Sequence, residues 1–483
     1  MYILRGAGAS GPLTNMREEQ DDNLLNKVRS VVVSSDNKNV YAVAFSSDTI
    51  VYWTRDPNTG SLTNQRFVQD NTNINGPYAV AVSPDGTSVF AVCYMGKSLV
   101  YWTRNTVDGS LTNLQTVVDS TNLNGAYFLT ISSDSKNVYA VGYTSNNIVY
   151  WSRNTGTGVL SNKRMLRVLP SGVVGPMGIT VSFDGKHVYV AASVTDAIVY
   201  FTRNTVNGDL TYNNKVVDAT ILNGAKSVVV SRDGNNVYAV ASLGRSIVHW
   251  NRDSTTGVLT NQINFVDTGN LNGAGSVAIS DDGTYVYVAG TSANCVIYWD
   301  RNTTTGLLSN ENVVFELPSV SSVAVSSDGR NVYAAIYGSS ITVTGKKIIY
   351  WDLPLCMGAT ISNHGLCNCG TTDNVVKNSL ASFCEGGNYC LVYGNNNHCG
   401  EACAFGKYAL TNPSFECRSC VVGKYSDVPG FPTGCMDCRA GSYSGQIDRG
   451  APCIPCQGGR YTDGETTGHQ LCKDFCIQAR NYL

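Results

Sequence analysis

The feature that most constrains this chain is a repeat of about 49 residues running through roughly its first three quarters. Asp36, Asp85, Asp134, Asp184, Asp233, Asp282 and Asp328 follow one another at steps of 49, 49, 50, 49, 49 and 46 residues. An aromatic position keeps the same step at Trp53, Trp102, Trp151, Phe201, Trp250, Trp299 and Trp351, and all six tryptophans of the protein fall in that register. A unit of this size cannot bury its apolar face alone, so seven copies must cover one another.

Each unit reads as four short strands. In the second copy an apolar run, Tyr78-Ala-Val-Ala-Val82, meets a turn at Ser83-Pro-Asp-Gly86 and reverses into Val89-Phe-Ala-Val92. Pro84 presets φ, Asp85 bonds its own backbone, and Gly86 accepts positive φ. A third strand, Leu99-Val-Tyr-Trp102-Thr, turns at 104–109 into a fourth that begins at Leu111. Short strands rich in β-branched and aromatic residues, broken by Gly and Asp, predict an all-β fold, and seven four-stranded copies predict a seven-bladed β-propeller. Composition agrees: charged residues are 14%, Gly numbers 48 and Tyr 27, which argues against helical bundles and coiled coils.

The ends of the repeat predict how the ring closes. Gly11-Pro-Leu13-Thr-Asn15 copies the fourth-strand start Gly60-Ser-Leu62-Thr-Asn64, while the seventh copy has a third strand at Ile348–Trp351 and then turns into Pro354. The strand around Leu13 is therefore expected to complete the blade of Trp351. Tyr2-Ile-Leu-Arg5 copies a third strand as well, a surplus expected of a sequence that begins inside a longer gene product.

Two segments now carry a resemblance. Tyr-Trp-Thr-Arg-x4-Gly-x-Leu-Thr-Asn, at Tyr52–Asn64 and Tyr101–Asn113, alternates with Val-x-Val-Ser-x-Asp-Gly-x-x-Val-Tyr-Ala-Val at Val228–Val240. Residues 1–354 thereby resemble the seven-bladed lactonase propellers, which include bacterial-type 6-phosphogluconolactonases and carboxymuconate-lactonising enzymes. The resemblance implies imidazole, guanidinium and carboxylate groups on the upper face, with a histidine commonly placed just ahead of the first strand's turn. Here those stretches read Pro77-Tyr78-Ala79, Ala126-Tyr127-Phe128, Pro176-Met177-Gly178, Ala225-Lys226-Ser227 and Ala274-Gly275-Ser276, without histidine, so no catalytic residue transfers. His249 takes the slot of Tyr52 and His187 that of Asn137, and both are read as structural.

Functional surface is expected on the loops joining strands two and three and strand four to the next blade, which emerge together around the channel. Their stock is Ser, Thr, Asn and Gly, with the ionisable residues Asp48, Lys97, Asp196, Lys226, Arg245, Lys346 and Lys347 among them. Lys97, Asp196, Lys226 and Arg245 form the candidate ligand-binding set, weighed against a solvated rim of scattered charge. Asp70, Asp119, Asp218 and Asp267 each open a polar loop; one carboxylate per loop is too few for a calcium site, so they read as turn caps. Asn302 carries a lone glycosylation sequon. No metal or cofactor is expected.

Fifteen of the 17 cysteines lie after residue 355. Cys93 and Cys295 are the exceptions and read as buried thiols. From Gly406-Lys-Tyr408 a second period appears, continued by Gly423-Lys-Tyr425, Gly441-Ser-Tyr443 and Gly459-Arg-Tyr461. A cysteine pair follows each of these in turn: Cys417 with Cys420, Cys435 with Cys438, Cys453 with Cys456, and Cys472 with Cys476. Ahead of them stand Cys356, Cys367, Cys369, Cys384, Cys390, Cys399 and Cys403. Such pairs serve zinc knuckles or disulfides; units with almost no apolar core favour a disulfide ladder, and an odd count leaves one thiol over. Residues 355–483 are thus expected to form a small, loop-dominated, disulfide-rich repeat domain. From about residue 404 its rhythm resembles the ephrin-receptor-like cysteine-rich repeats, which implies an extracellular stalk or binding module.

Net charge -2 provides no field for nucleic acid, and no apolar run is long enough for a membrane span. The start lacks a signal-peptide layout, while dense cysteine calls for an oxidising compartment. The expectation is a secreted or surface protein, non-catalytic, presenting a propeller platform to a protein or glycan. A lactonase-like hydrolase acting on a sugar lactone is the alternative, and a structural coat component a further one.

Overall fold

The computed structural model describes residues 13–353 except 58, 167–171 and 339–345; between 354 and 483 it describes the backbone of short strands alone. The chain divides into two units, Met1–Leu353 and Pro354–Leu483. No helix is long and apolar enough to cross a membrane among the described residues.

The first unit is seven four-stranded antiparallel sheets. Blade 1 consists of Val28–Val33, Asn39–Ala44, Thr49–Arg55 and Leu62–Gln69, in that spatial order. Blades 2 to 6 repeat the order over residues 77–118, 126–166, 176–217, 225–266 and 274–314. Blade 7 joins Val320–Val325, Asn331–Ile336 and Lys347–Asp352 to Thr14–Gln20, whose register pairs Thr14 with Asp352 and Gln20 with Lys347. The N-terminal strand therefore closes the ring, and Leu13 packs in the cluster of Trp351. First strands of successive blades touch, and that of blade 7 touches blade 1, so the first strands line the centre.

Second and third strands are buried on both faces, as residues 39–44 and 49–53 show, which is why they read as unbroken apolar runs. Fourth strands alternate exposed with half-buried residues, as an outer edge must. Blades pack through apolar clusters shared by neighbours: Val31, Trp53 and Leu62 of blade 1 lie with Tyr333 and Ile348 of blade 7.

One face carries a girdle of ion pairs. The arginine closing each third strand reaches the turn aspartate of the preceding blade: Arg55–Asp328, Arg104–Asp36, Arg153–Asp85, Arg203–Asp134, Arg252–Asp184 and Arg301–Asp233, at 2.6–3.1 Å. The six arginine side chains are wholly buried, and burial is compensated by fixed acceptors. Arg104, for instance, donates from Nε to the Tyr41 hydroxyl and from Nη1 to the Gly86 carbonyl, at 2.9 and 2.8 Å. The repeated aspartates are thus turn formers and blade clamps at once.

In the second unit four small antiparallel ladders share one register. Tyr408, Tyr425, Tyr443 and Tyr461 pair with Arg418, Met436, Ile454 and Lys473, each the residue after the first cysteine of its pair. The second sequence period is therefore a chain of hairpins. The choice between disulfide and zinc pairing falls on side chains that lie outside the described residues. This holds for Cys356, Cys367, Cys369, Cys384, Cys390, Cys399 and Cys403 ahead of the hairpins, and for Cys417, Cys420, Cys435, Cys438, Cys453, Cys456, Cys472 and Cys476 within them.

Candidate functional site at the channel mouth

Pairing between first and second strands skips one residue in every blade. In blade 1 Val28 pairs with Ala44 and Ser30 with Val43, leaving Arg29 over; the same slip leaves over Tyr78, Tyr127, Met177, Lys226, Gly275 and Ser321. A bulge re-aims the extra side chain, so seven bulges on the innermost strands place one residue per blade in a ring at the channel mouth. All seven are half-buried.

A second tier stands where each second strand ends: Phe45, Tyr94, Tyr143, Ser193, Ser242, Thr291 and Tyr337. In each blade its amide donates to the carbonyl of a residue just ahead of the first strand: Lys27, Gly76, Gly125, Gly175, Gly224, Gly273 or Ser319. Those acceptors all have positive φ. Glycine fits five of them because an added Cβ would press on the loop opposite, 2.7 Å from Met95 at Gly76. Aromatic residues thus occupy blades 7, 1, 2 and 3, and small hydroxyls blades 4, 5 and 6.

The aromatic half packs around a cation. The Arg29 guanidinium lies 3.7 Å from the ring centre of Tyr337, 4.5 Å from that of Tyr78 and 5.4 Å from that of Phe45. Tyr78 and Tyr127 have ring centres 4.3 Å apart and hydroxyls 3.1 Å apart. Burial raises both phenols above their ordinary range and keeps them neutral. Burial, and then the charge of Arg29, pushes the Lys226 ammonium down. Two cations from blades 1 and 5 therefore face the same mouth, and its ring contains no carboxylate.

The sequence candidates separate in space. Lys226 stands in the ring. Lys97, Asp196 and Arg245 occupy one repeat position in blades 2, 4 and 5, the end of the loop between strands two and three, each with φ 51°. The Asp196 carboxylate accepts from the Gly224 amide at 2.8 Å, as Asp48 does from Gly76 at 2.7 Å. Among the described residues no hydrogen bond or ion pair joins Lys97, Asp196 and Arg245. Lys347 lies on the outer side of blade 7, paired with Glu18. Arg29 escaped the sequence reading, although it holds in blade 1 the position that Tyr78 and Lys226 hold in theirs; aligning the first copy would have found it.

Other readings resolve plainly. His187 is 1% exposed with Nδ1 2.7 Å from Arg252 Nη2, and His249, also 1% exposed, stacks on Tyr238 at 5.0 Å. Both serve as neutral packing groups away from the mouth, and burial pushes His249 down to about 4. Asp70, Asp119, Asp218 and Asp267 each accept two backbone N–H groups of the loop they open. Asn302 caps its turn in the same way, through Thr304 and Thr305. Cys93 and Cys295 are buried free thiols, and burial pushes each up to about 12.

The first unit is thus a seven-bladed propeller with a chemically uneven ring at one channel mouth and, on the other face, a girdle of ion pairs at six of its seven blade junctions. The family model described as lactonase, 7-bladed beta-propeller matches residues 10–220, 118–274 and 215–325, and this chain belongs to that family. Solved structures share the fold at low identity. A putative 6-phosphogluconolactonase from Bacteroides fragilis is 20% identical over 61% of this chain and 85% of its own, with a TM-score of 0.52. A Lactobacillus plantarum protein gives 20%, 61%, 86% and 0.53, and the periplasmic gluconolactonase of Pseudomonas aeruginosa 18%, 60%, 86% and 0.52. No curated protein matches the chain.

Proposed function

We propose that the channel mouth binds an anionic sugar lactone and opens it by hydrolysis. The observation that carries this reading is the Arg29 guanidinium and the Lys226 amino group facing one partly desolvated mouth without a carboxylate in its ring. Arg29, held by aromatic rings, holds the anionic group or polarises the lactone carbonyl; Tyr78 and Tyr127 donate hydrogen bonds, and the aromatic crescent stacks on the sugar ring. Lys226 supplies the nitrogen base in its deprotonated form, which burial and the charge of Arg29 favour. Water adds to the carbonyl as its proton passes to the Lys226 amine; the ring C–O bond breaks and the ring oxygen takes that proton, leaving a hydroxy acid. Membership of the lactonase family supports the reading, as do structural neighbours described as 6-phosphogluconolactonase and gluconolactonase.

The test is opening of 6-phosphogluconolactone and gluconolactone followed by acid release, alongside calorimetric binding of the matching aldonates. Arg29→Gln is expected to weaken binding at least tenfold, and Lys226→Met to abolish turnover while binding persists. Turnover unchanged in Lys226→Met overturns the base assignment.

A second reading is recognition without turnover. The loops between strands two and three expose Met95, Val194 and Leu243 at one repeat position, 58%, 55% and 71% exposed, next to Lys97, Asp196 and Arg245. Apolar tips beside charges suit a protein partner, and the aromatic crescent suits a glycan. This reading keeps the ephrin-receptor-like, disulfide-rich second unit and export from the cell together. Non-reducing mass spectrometry tests that pairing: free thiols with bound zinc in residues 355–483 would remove the argument for an oxidising compartment.

A further inference from the structure

At the girdle end of the junction between blades 2 and 3 lies a cavity of about 260 Å³. It opens because side chains that close other junctions are cut down here. Asn39, Asn137 and Asn331 each send a carboxamide N–H to the carbonyl of their own blade's third-strand tryptophan, at 3.2–3.3 Å. Blade 2 has Ser88 at that position. A Cβ on Gly109 or Gly208 would strike the asparagine carboxamide, whereas on Gly158 it would meet only Ser88, with Oγ at 2.8 Å. On the outer side, a fourth-strand arginine spans three other junctions: Arg66 to Asp108, Arg164 to Asp209, and Arg17 to the Ser61 hydroxyl. Those arginines pair with Tyr52, Tyr150 and Tyr350; in blade 2 Tyr101 pairs instead with Gln115, which donates along its own strand to the Leu114 carbonyl at 3.1 Å. Thr157 and Val159 take the places of Asp108 and Asp209. Phe90 removes one more group, the hydroxyl that in five other junctions donates to the glycine carbonyl matching that of Gly158.

We propose that this cavity is a binding site, separate from the mouth, for one N-acetylhexosamine residue. Among the described residues its wall holds no carboxylate, ammonium or guanidinium, so it suits a neutral ligand. Trp102 and Gly158 line it, and their carbonyls lack the donors that the matching carbonyls receive in other blades, so the ligand must bring N–H and O–H groups. An acetamido group carries what the junction is missing. Its N–H replaces the asparagine N–H towards the Trp102 carbonyl, and its oxygen accepts from the Ser88 hydroxyl, which itself accepts from Arg153 Nη2 at 2.8 Å. The sugar ring fills the outer half left by the missing arginine, where the Thr103 and Thr157 hydroxyls and the Asn113 and Gln115 carboxamides suit its hydroxyl groups. The volume lies just below the roughly 300 Å³ at which small-molecule pockets usually begin, which fits one ring and not two.

The test titrates methyl N-acetyl-β-glucosaminide and methyl β-glucoside into the full chain, read by calorimetry and ligand-observed NMR. The acetamido sugar is expected to bind saturably and the glucoside at least fivefold more weakly. Ser88→Asn and Gln115→Arg each restore the residue of other blades, so both are expected to fold, to melt at or above wild type, and to weaken binding at least tenfold. Arg29→Gln, at the mouth, is expected to leave this binding unchanged, which separates the site from the proposed lactone site. No saturable binding, equal binding of the glucoside, undiminished binding in the folded Ser88→Asn and Gln115→Arg proteins, or loss of binding in Arg29→Gln overturns the proposal.

Discussion

Phe90 shows how much one hydroxyl decides in this fold. Tyr41, Tyr139, Tyr189, Tyr238 and Tyr333 each accept an arginine Nε at 2.8–3.0 Å and donate to a glycine carbonyl of the next blade. Phe90 has no oxygen to offer, and Arg153 Nε is buried without a partner among the described residues. Phe90→Tyr is therefore expected to stabilise the protein by about 1 kcal/mol, measured by urea unfolding. Asp36→Ala is expected to cost about 3 kcal/mol, because it leaves the buried Arg104 charge without its carboxylate. His249 adds a pH dependence. It is neutral when folded, with its ionisation held down near 4, and protonates near 6.5 when unfolded. As pH falls from about 6.5 towards 4 the unfolded chain binds a proton that the folded chain refuses, so stability declines across that window, by roughly 3 kcal/mol, and is fully present above it. His249→Tyr, which restores the residue of the other blades, is expected to flatten that slope.

Strands and turns were legible because repetition makes each element visible several times over. Asp-Gly turns, apolar second and third strands, and the copy of Leu62 at Leu13 all pointed to elements that the structure contains. The bulges were not legible, since a one-residue slip in pairing leaves no mark on the sequence of a strand such as Val28–Val33. Without the slip, Arg29 and Tyr78 look like ordinary strand residues; with it they face the channel. The interblade role of Asp36 and its copies was hidden for a related reason: turn chemistry alone already accounts for an aspartate there. At this scale closure itself is testable. Thr14–Gln20 covers the edge of Lys347–Asp352, so removing residues 1–20 exposes that edge and the cluster of Trp351. The truncated chain is expected to melt at lower temperature and to associate on size-exclusion chromatography; an unchanged monomer with wild-type melting would contradict the assigned closure.

Across the whole propeller the two faces divide the work. On the girdle face almost every blade repeats the same aspartate, arginine and tyrosine, because each junction solves the same packing problem. At the mouth the backbone device is just as uniform, yet the residue it presents changes from blade to blade: guanidinium, two phenols, thioether, ammonium, hydrogen and hydroxyl. Identical scaffolding with divergent side chains is what separates structure from site in a repeat fold. The sequence pointed to the loops of this face and to Lys226, which the structure places in the ring, while Asp196, from a loop beside it, is engaged in holding the start of the next blade. The central claim is that Arg29 holds an anionic ligand at the mouth, beside a Lys226 that serves turnover and not binding. A calorimetric titration of 6-phosphogluconate into wild type, Arg29→Gln and Lys226→Met tests it most directly. The account predicts saturable one-to-one binding to wild type, weakened at least tenfold by Arg29→Gln and retained by Lys226→Met; no binding to wild type, or equal binding to wild type and Arg29→Gln, would contradict it.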